Sequence, residues 1–129
     1  MNRLFLVSIT FIIFFAACKD DEGSHMAYME KIKDTVFKSY PTVAGVTVKV
    51  SDDGKEISIV LGDKHLYNAS PETQQKEAND VAAMALNIFG KDNLLKKGTV
   101  IISKDEKNEQ PAATDSKTII INLDSLKPH

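Results

Sequence analysis

The chain has 129 residues, of which 43% are hydrophobic and 26% are charged. This composition is typical of one small globular domain and excludes a fully disordered chain. A net charge of −2 does not favour nucleic acid as a partner, because phosphate binding requires clustered Lys and Arg. A single cysteine excludes a disulfide within the chain and a multi-cysteine zinc site.

The N-terminal residues 1–17 have the pattern of an export signal. Arg3 supplies the positive charge, and the apolar stretch of residues 4–17 follows it, interrupted only by Ser8 and Thr10. This stretch is too short to span a bilayer comfortably, which takes about 20 residues. We therefore predict a signal peptide rather than a transmembrane helix.

The small residues Ala16 and Ala17 precede Cys18, and this sequence resembles the lipobox of bacterial lipoproteins. Phe15 departs from the leucine that is common in that family. The resemblance implies that the signal peptide is removed and that Cys18 is acylated, for example with palmitate. Two or three acyl chains would anchor the protein stably, since one chain holds only weakly. The alternatives are an ordinary signal peptide with a chance cysteine and an uncleaved hydrophobic anchor.

The residues after Cys18 form a charged tether, expected to span residues 18–26. Lipoproteins retained in the inner membrane have Asp directly after the cysteine, but here Lys19 holds that place. The resemblance therefore implies the outer membrane, and it leaves open the periplasmic leaflet and the cell surface. Surface export tags of some Gram-negative lipoproteins also resemble this run. The tether charges are Lys19, Asp20, Asp21 and Glu22.

The folded domain is expected to span residues 27–129 as a single unit. Apolar residues at helical spacing predict an amphipathic first helix, which Pro41 ends because proline disfavours helix in the preceding residue. Alternating apolar residues then predict two strands, residues 46–50 and 56–61. The Asp53-Gly54 pair between them favours an antiparallel hairpin. The helical spacing is set by Met29, Ile32, Val36, Phe37 and Tyr40.

A second helix is predicted from Ser70, a hydroxyl N-cap, and Pro71 in the first helical position, and Gly90 ends it. Two further β-rich runs, residues 99–103 and 118–123, complete the set. The predicted fold class is α+β, a two-layer sandwich of order α-β-β-α-β-β. It comprises a mostly antiparallel four-stranded sheet with two helices on one face.

Part of this domain, residues 30–103, resembles the BON domain, a small α/β module of bacterial envelope proteins. The resemblance is carried by the helix EKIKDTVFKSYP, the strand GVTVKV, the turn DDG and the strand EISIVLG. The second helix is long for that family, and the strand at residues 118–123 is additional. The resemblance implies an envelope module that binds phospholipid, which is the alternative function.

No group of residues in the sequence predicts catalysis, because a nucleophile requires a base positioned beside it. Asp63 and His65 are close enough to form half of a metal site or an acid–base pair, but a lone loop histidine is more often solvated. The sequence contains no glycine-rich phosphate loop and no zinc-protease motif. We therefore expect no enzyme activity, no metal site and no cofactor.

The sheet face away from the helices is the predicted interaction surface. If the hairpin's alternating apolar residues face the helices, then Val60 points to the opposite face. In the last two strands either register leaves apolar residues outward, either Ile101 and Ile120 or their neighbours. Such a strip marks a binding face or consists of stray surface residues that strands favour. We expect a non-enzymatic module that contacts an envelope protein or itself through this face.

Overall fold

The computed structural model of the protein describes residues 26–90, 93–106 and 111–127. Two short 3-10 helices flank the last strand, and a four-residue helix follows the second strand; none of these three was predicted. The predicted α+β order is otherwise confirmed. The elements are α1 (residues 26–39), β1 (Gly45–Val50), β2 (Glu56–Gly62), α2 (Lys64–Tyr67), α3 (Pro71–Phe89), β3 (Lys97–Ser103) and β4 (Ser116–Asn122), with the 3-10 helices at Ala113–Asp115 and Leu123–Leu126.

The four strands form one sheet in the order β1-β2-β3-β4. The pairs β1–β2 and β3–β4 are antiparallel, while β2–β3 is parallel, so the sheet is mixed. The parallel pair arises because the chain crosses over through α2 and α3 before it returns as β3, and a crossover of this length is what parallel neighbours require. The expectation of a mostly antiparallel sheet is therefore met in two of its three pairs.

Helices α1 and α3 pack on one face of the sheet and share a single core with it. From α1, Ile32 and Val36 are fully buried, and from α3 a stripe of mostly small residues lies against the strands. Small side chains let a helix backbone approach a sheet closely, which accounts for the alanines in this stripe. The buried α3 residues are Gln74, Ala78, Val81, Ala82, Ala85 and Leu86.

The ends of α3 have the predicted chemistry. The Ser70 side chain accepts a hydrogen bond from the Thr73 N–H at 3.2 Å, and Pro71 occupies the first turn. Gly90 follows the helix with a φ of 87°, a conformation that glycine adopts without steric cost. Local signals of this kind place the helix within a residue of its observed bounds.

Some bounds differ from the predicted ones. Met26 belongs to α1, although the sequence places it in the tether. Strand β4 begins at Ser116, and Leu123 lies in the following 3-10 helix, where it is fully buried. A Cβ at Gly98 would lie 3.0 Å from the Leu123 side chain, so glycine there gives Leu123 its room over β3.

Candidate binding surface

The sheet face opposite the helices carries the three residues that the sequence singles out. Strand register places Val60 beside Ile101, with Thr47 and Thr118 at the ends of the same row. Ile120 belongs to the next row, opposite Thr99 of β3. Ile101 and Ile120 are therefore diagonal neighbours on one face, within reach of each other's side chains. We call this surface the open face.

The exposure of these three residues falls steeply between the centre of the sheet and its edge. Val60 is only 8% exposed, Ile101 is half-buried, and Ile120 is 65% exposed. Val60 lies on a central strand with neighbours on both sides, whereas Ile120 lies on an outer strand with a neighbour on one side only. The expectation of an exposed strip that includes Val60 is therefore wrong, and the exposed apolar surface is concentrated at β4.

Part of the open face is covered by the chain that follows β3. A Cβ at Gly62 would lie 2.6 Å from the carbonyl oxygen of Glu106, and a Cβ at Gly45 would also clash with that oxygen. Gly45 and Gly62 are paired across β1 and β2, so together they leave a slot that the Glu106 backbone occupies. This end of the open face is thus closed to a partner, which leaves the end near Ile120.

A second exposed apolar surface lies at the hairpin end of the molecule, and the sequence analysis missed it. It is a shallow groove of about 300 Å³ beside Leu94, which is 64% exposed. The rings of Tyr28 and Phe89 pack against each other there, with their centroids 5.0 Å apart. Its lining comes from three separate segments, so no local pattern could have indicated it. The lining residues are Tyr28, Val50, Asp52, Asp53, Gly54, Phe89, Asn93, Leu94 and Leu95.

Asp53 on the rim of this groove is a turn residue with a well-satisfied carboxylate. The Ser51 hydroxyl donates to its Oδ1 at 2.6 Å, and the Lys55 N–H donates to the same oxygen at 3.0 Å. The bond from Ser51, followed by that from Lys55, lowers the pKa of Asp53 below its ordinary value. The carboxylate therefore stabilises the hairpin turn as an ionised acceptor.

The pair Asp63 and His65 does not form the metal site or acid–base pair that was considered. Asp63 is fully buried, and both carboxylate oxygens have partners: the Thr42 hydroxyl donates to Oδ2 at 2.7 Å and the Leu66 N–H to Oδ1 at 3.0 Å. His65 is exposed and does not line the groove beside Leu94. Asp63 is thus the N-cap of α2 and a structural residue.

Several acidic groups lie close together where α2, α3 and the end of α1 meet. Burial, followed by the charges of Asp63 and Asp80, raises the pKa of Glu77 above its ordinary value, while His65 lowers it. Burial and the charges of Asp80 and Glu77 also raise the pKa of Tyr40. Within the described residues, no three side chains of metal-binding type are placed to hold an ion.

Replacing Glu77 by glutamine should stabilise the fold at neutral pH. A raised pKa means that the folded state holds the proton more tightly, so stability falls as pH rises through the folded pKa. Glutamine imitates the protonated acid, and because Glu77 is only half-buried and water still screens its charge, we expect a gain below about 1 kcal/mol at pH 7. Urea unfolding at pH 7 and near pH 3 measures the difference, which should vanish in acid.

Glu72→Gln is the matched control for that substitution. Glu72 lies in the first turn of α3, where a negative charge is favoured by the helix dipole. Its replacement should therefore reduce stability slightly at pH 7, opposite in sign to Glu77→Gln. A loss of stability in Glu77→Gln would contradict the repulsion described above.

The predicted signal peptide, the lipidation residue Cys18 and the tether charges of residues 19–22 lie outside the described residues. In the part of the chain that is described, no helix combines the length and apolar character needed to cross a bilayer. The lipobox resemblance and the tether therefore stay predictions.

The chain matches no protein-family model, no curated protein and no solved structure. The resemblances to lipoprotein signals and to the BON domain are therefore carried by the quoted residues alone.

Proposed function

We propose that this protein is an outer-membrane lipoprotein, anchored through acylated Cys18, whose α+β domain binds another protein molecule. The anchor is supported by the position of the chain's one cysteine, directly between an apolar leader and a charged run. Acylation there would place the domain beside a membrane, on a tether of a few residues. The domain then acts by contact rather than by catalysis.

The binding role rests on Ile120. Its side chain is 65% exposed on the sheet face opposite the described helices, and it lies next to half-buried Ile101. The register partners of Ile120 and Ile101, Thr99 and Thr118, are polar and uncharged, and the charged Lys97 lies diagonal to Ile120 at the end of the strand. An apolar centre with polar neighbours and a charge at its rim is typical of protein-binding surfaces, whose cores are depleted of charge.

Ile120→Lys should abolish binding and leave the fold intact. Ile120 is exposed, so a substitution there is expected to change the free energy of unfolding by less than about 0.5 kcal/mol. A charge at the centre of the surface must lose its water shell when a partner binds, which is unfavourable. The measurement is affinity capture of the tagged, acylated chain from detergent-solubilised envelopes of its own cells.

Leu94→Lys is the matched control, because Leu94 is 64% exposed and the substitution adds the same charge at the other apolar surface. A second polypeptide should be captured by the wild type and by Leu94→Lys, and lost from Ile120→Lys. If Leu94→Lys loses the partner instead, the groove at Tyr28 and Phe89 is the binding surface and the proposal for the open face is wrong.

A separate experiment tests the phospholipid-binding function that the BON resemblance implies. Unacylated protein is mixed with vesicles that contain phosphatidylglycerol and is then floated on a density gradient. We expect it to stay at the bottom, because the lysine nearest Ile120 on this face, Lys97, has the acidic Glu56 as its register partner across β2 and β3. Flotation that salt reverses would contradict the protein-binding proposal and favour the phospholipid module.

A further inference from the structure

Strand β4 forms one edge of the sheet, and its backbone alternates between bonds to β3 and groups that point away. The Leu123 N–H donates to the Lys96 carbonyl at 2.9 Å, and the Lys104 N–H donates to the Asp115 carbonyl at 2.8 Å. These two bonds lie at the two ends of the antiparallel β3–β4 pairing. Hydrogen-bonded pairs recur at every second residue, so the two bonds determine which β4 residues bond to β3. The odd-numbered residues of β4 therefore bond to β3.

The even-numbered residues of β4 direct their N–H and C=O groups outward from the sheet. They are Ser116, Thr118, Ile120 and Asn122. At the end of the strand the Ser125 hydroxyl donates to the Asn122 carbonyl at 2.6 Å, so this carbonyl already has a partner. Among the described residues no other strand lies beside this edge. Four N–H donors and three C=O acceptors are thus aligned for pairing with a further strand.

This edge lacks the features with which proteins usually guard an outer strand. Residues 116–122 contain no proline, and their one charge, Lys117, lies on the helix side with its Nζ 5.0 Å from the centre of the Tyr67 ring. The opposite edge, β1, differs because α1 lies beside it, and both line a groove of about 160 Å³. The unguarded edge is therefore β4.

We propose that a second copy of this chain binds here, with its β4 antiparallel to the first β4 about a two-fold axis at Ile119. The proposal rests on the protein-binding function above and names the partner. It would join two four-stranded sheets into one continuous sheet. Such an isologous contact uses the same edge on both molecules, so it closes on itself and does not grow into a fibre.

The hydrogen-bonding groups of β4 favour two registers equally. With the axis at Ile119, Thr118 pairs with the partner's Ile120 and Ser116 pairs with the partner's Asn122. These pairs can form about six backbone bonds while Asn122 keeps its bond from Ser125. An axis at Thr118 also allows about six, whereas an axis at Ile120 or Lys117 allows about four.

Side chains decide between the two best registers. With the axis at Ile119, the partner's Ile120 lies opposite Thr118, and the two copies of Ile120 become diagonal neighbours, so each exposed isoleucine gains an apolar neighbour. With the axis at Thr118, the same side chain would lie opposite Ser116, and the two Lys117 residues would be diagonal neighbours about 7–8 Å apart. The Ile119 axis places the two lysines further apart, so it has the lower repulsion.

The proposed anchor favours a second copy over a diffusing peptide. A fully extended tether of eight residues, 18–25, would reach at most about 29 Å, so every copy is confined to a thin layer above one membrane. Confinement raises the effective concentration of copies relative to one another without any new contact. A two-fold axis normal to that membrane lets both tethers reach it together.

Cysteine cross-linking in membranes tests both the partner and the register. Two differently tagged copies of the full chain are produced together, one with Thr118→Cys and one with Ile120→Cys, and oxidised in place. Directly opposite bonded residues have Cα atoms about 5.5 Å apart, which a disulfide can span. Identical positions would be diagonal, beyond a disulfide's usual reach of about 7 Å.

We expect the mixed pair to cross-link several-fold more than either variant alone. Leu94→Cys, equally exposed but away from β4, measures random collision, and the wild type controls for any reaction of Cys18. Cross-linking of each variant with itself at the level of the mixed pair would overturn the register. If the mixed pair cross-links no more than Leu94→Cys does, the proposal that a second copy is the partner is wrong.

The two proposals fail in different ways. If no cross-link specific to β4 forms, yet Ile120→Lys still loses a captured polypeptide of another kind, the open face binds a different protein and only the self-pairing is wrong. If Ile120→Lys changes nothing in either assay, the binding surface itself is wrong.

Discussion

The substitution Cys18→Ser should release the protein from the membrane fraction almost completely. Acylation requires the Cys18 sulfur, and the chain has no second cysteine to take its place. Each buried methylene contributes about 0.8 kcal/mol to membrane affinity, so loss of two or three acyl chains removes far more than the charged tether could replace. The measurement is labelling with radioactive palmitate, followed by separation of membranes from the soluble fraction.

Ser24→Cys in the Cys18→Ser background is the control for position. It restores a thiol near the original site but without the preceding small residues of the lipobox. We expect label in the wild type only. Palmitate on the Cys18→Ser chain would show that the anchor lies elsewhere, and a mature wild-type protein with a free thiol or a retained leader would contradict the lipoprotein assignment.

Replacing Asp63 by alanine should lower the free energy of unfolding by about 2–3 kcal/mol, the largest loss that we expect from a polar residue. The alanine removes the N-cap of α2 and leaves the buried Leu66 N–H without its acceptor. It also removes the acceptor of the Thr42 hydroxyl, which links the chain after α1 to the end of β2. Urea unfolding at pH 7 measures the loss.

Two further variants make the interpretation specific. Asp63→Asn keeps an oxygen for the Leu66 N–H and should lose only part of the stability; it should also lower the pKa of Glu77 toward its ordinary value, because one repelling charge is gone. Asp53→Ala removes the same number of carboxylate bonds at an exposed turn, where water replaces them, so its loss should be much smaller. Equal losses at positions 53 and 63 would show that burial of Asp63 is unimportant.

The parts of the fold that could be predicted have local signals. The Asp53-Gly54 turn and its flanking alternation predict the β1–β2 hairpin, and Ser70 with Gly90 bounds α3 closely. Helix α2 has four residues, too few to show a helical period, and its only mark is the N-cap Asp63. The sequence does not show whether the Asp63 side chain is structural or belongs to a pair with His65, and its bonds to Thr42 and Leu66 identify it as structural.

The sequence predicts which face of the sheet carries the candidate surface, but not which residues on that face are exposed. Alternation along a strand shows that Val60 faces away from the core of the hairpin, because side chains alternate between the two faces. It does not show which strands are central, and strand order decides that Val60 is shielded while Ile120 is exposed. The crossing of Glu106 over Gly45 and Gly62 joins residues far apart in sequence, so no local pattern indicates it.

The parallel pairing of β2 with β3 has a consequence for the sequence of events during folding. Strands β1 and β2 meet by closing a short turn, whereas β2 and β3 can pair only when residues 63–96 have been drawn into a large loop. Contacts between distant residues slow folding, so this step is expected to govern the rate. Until it occurs, β2 is an unsatisfied edge with apolar side chains, and a nascent molecule is most prone to aggregate in that interval.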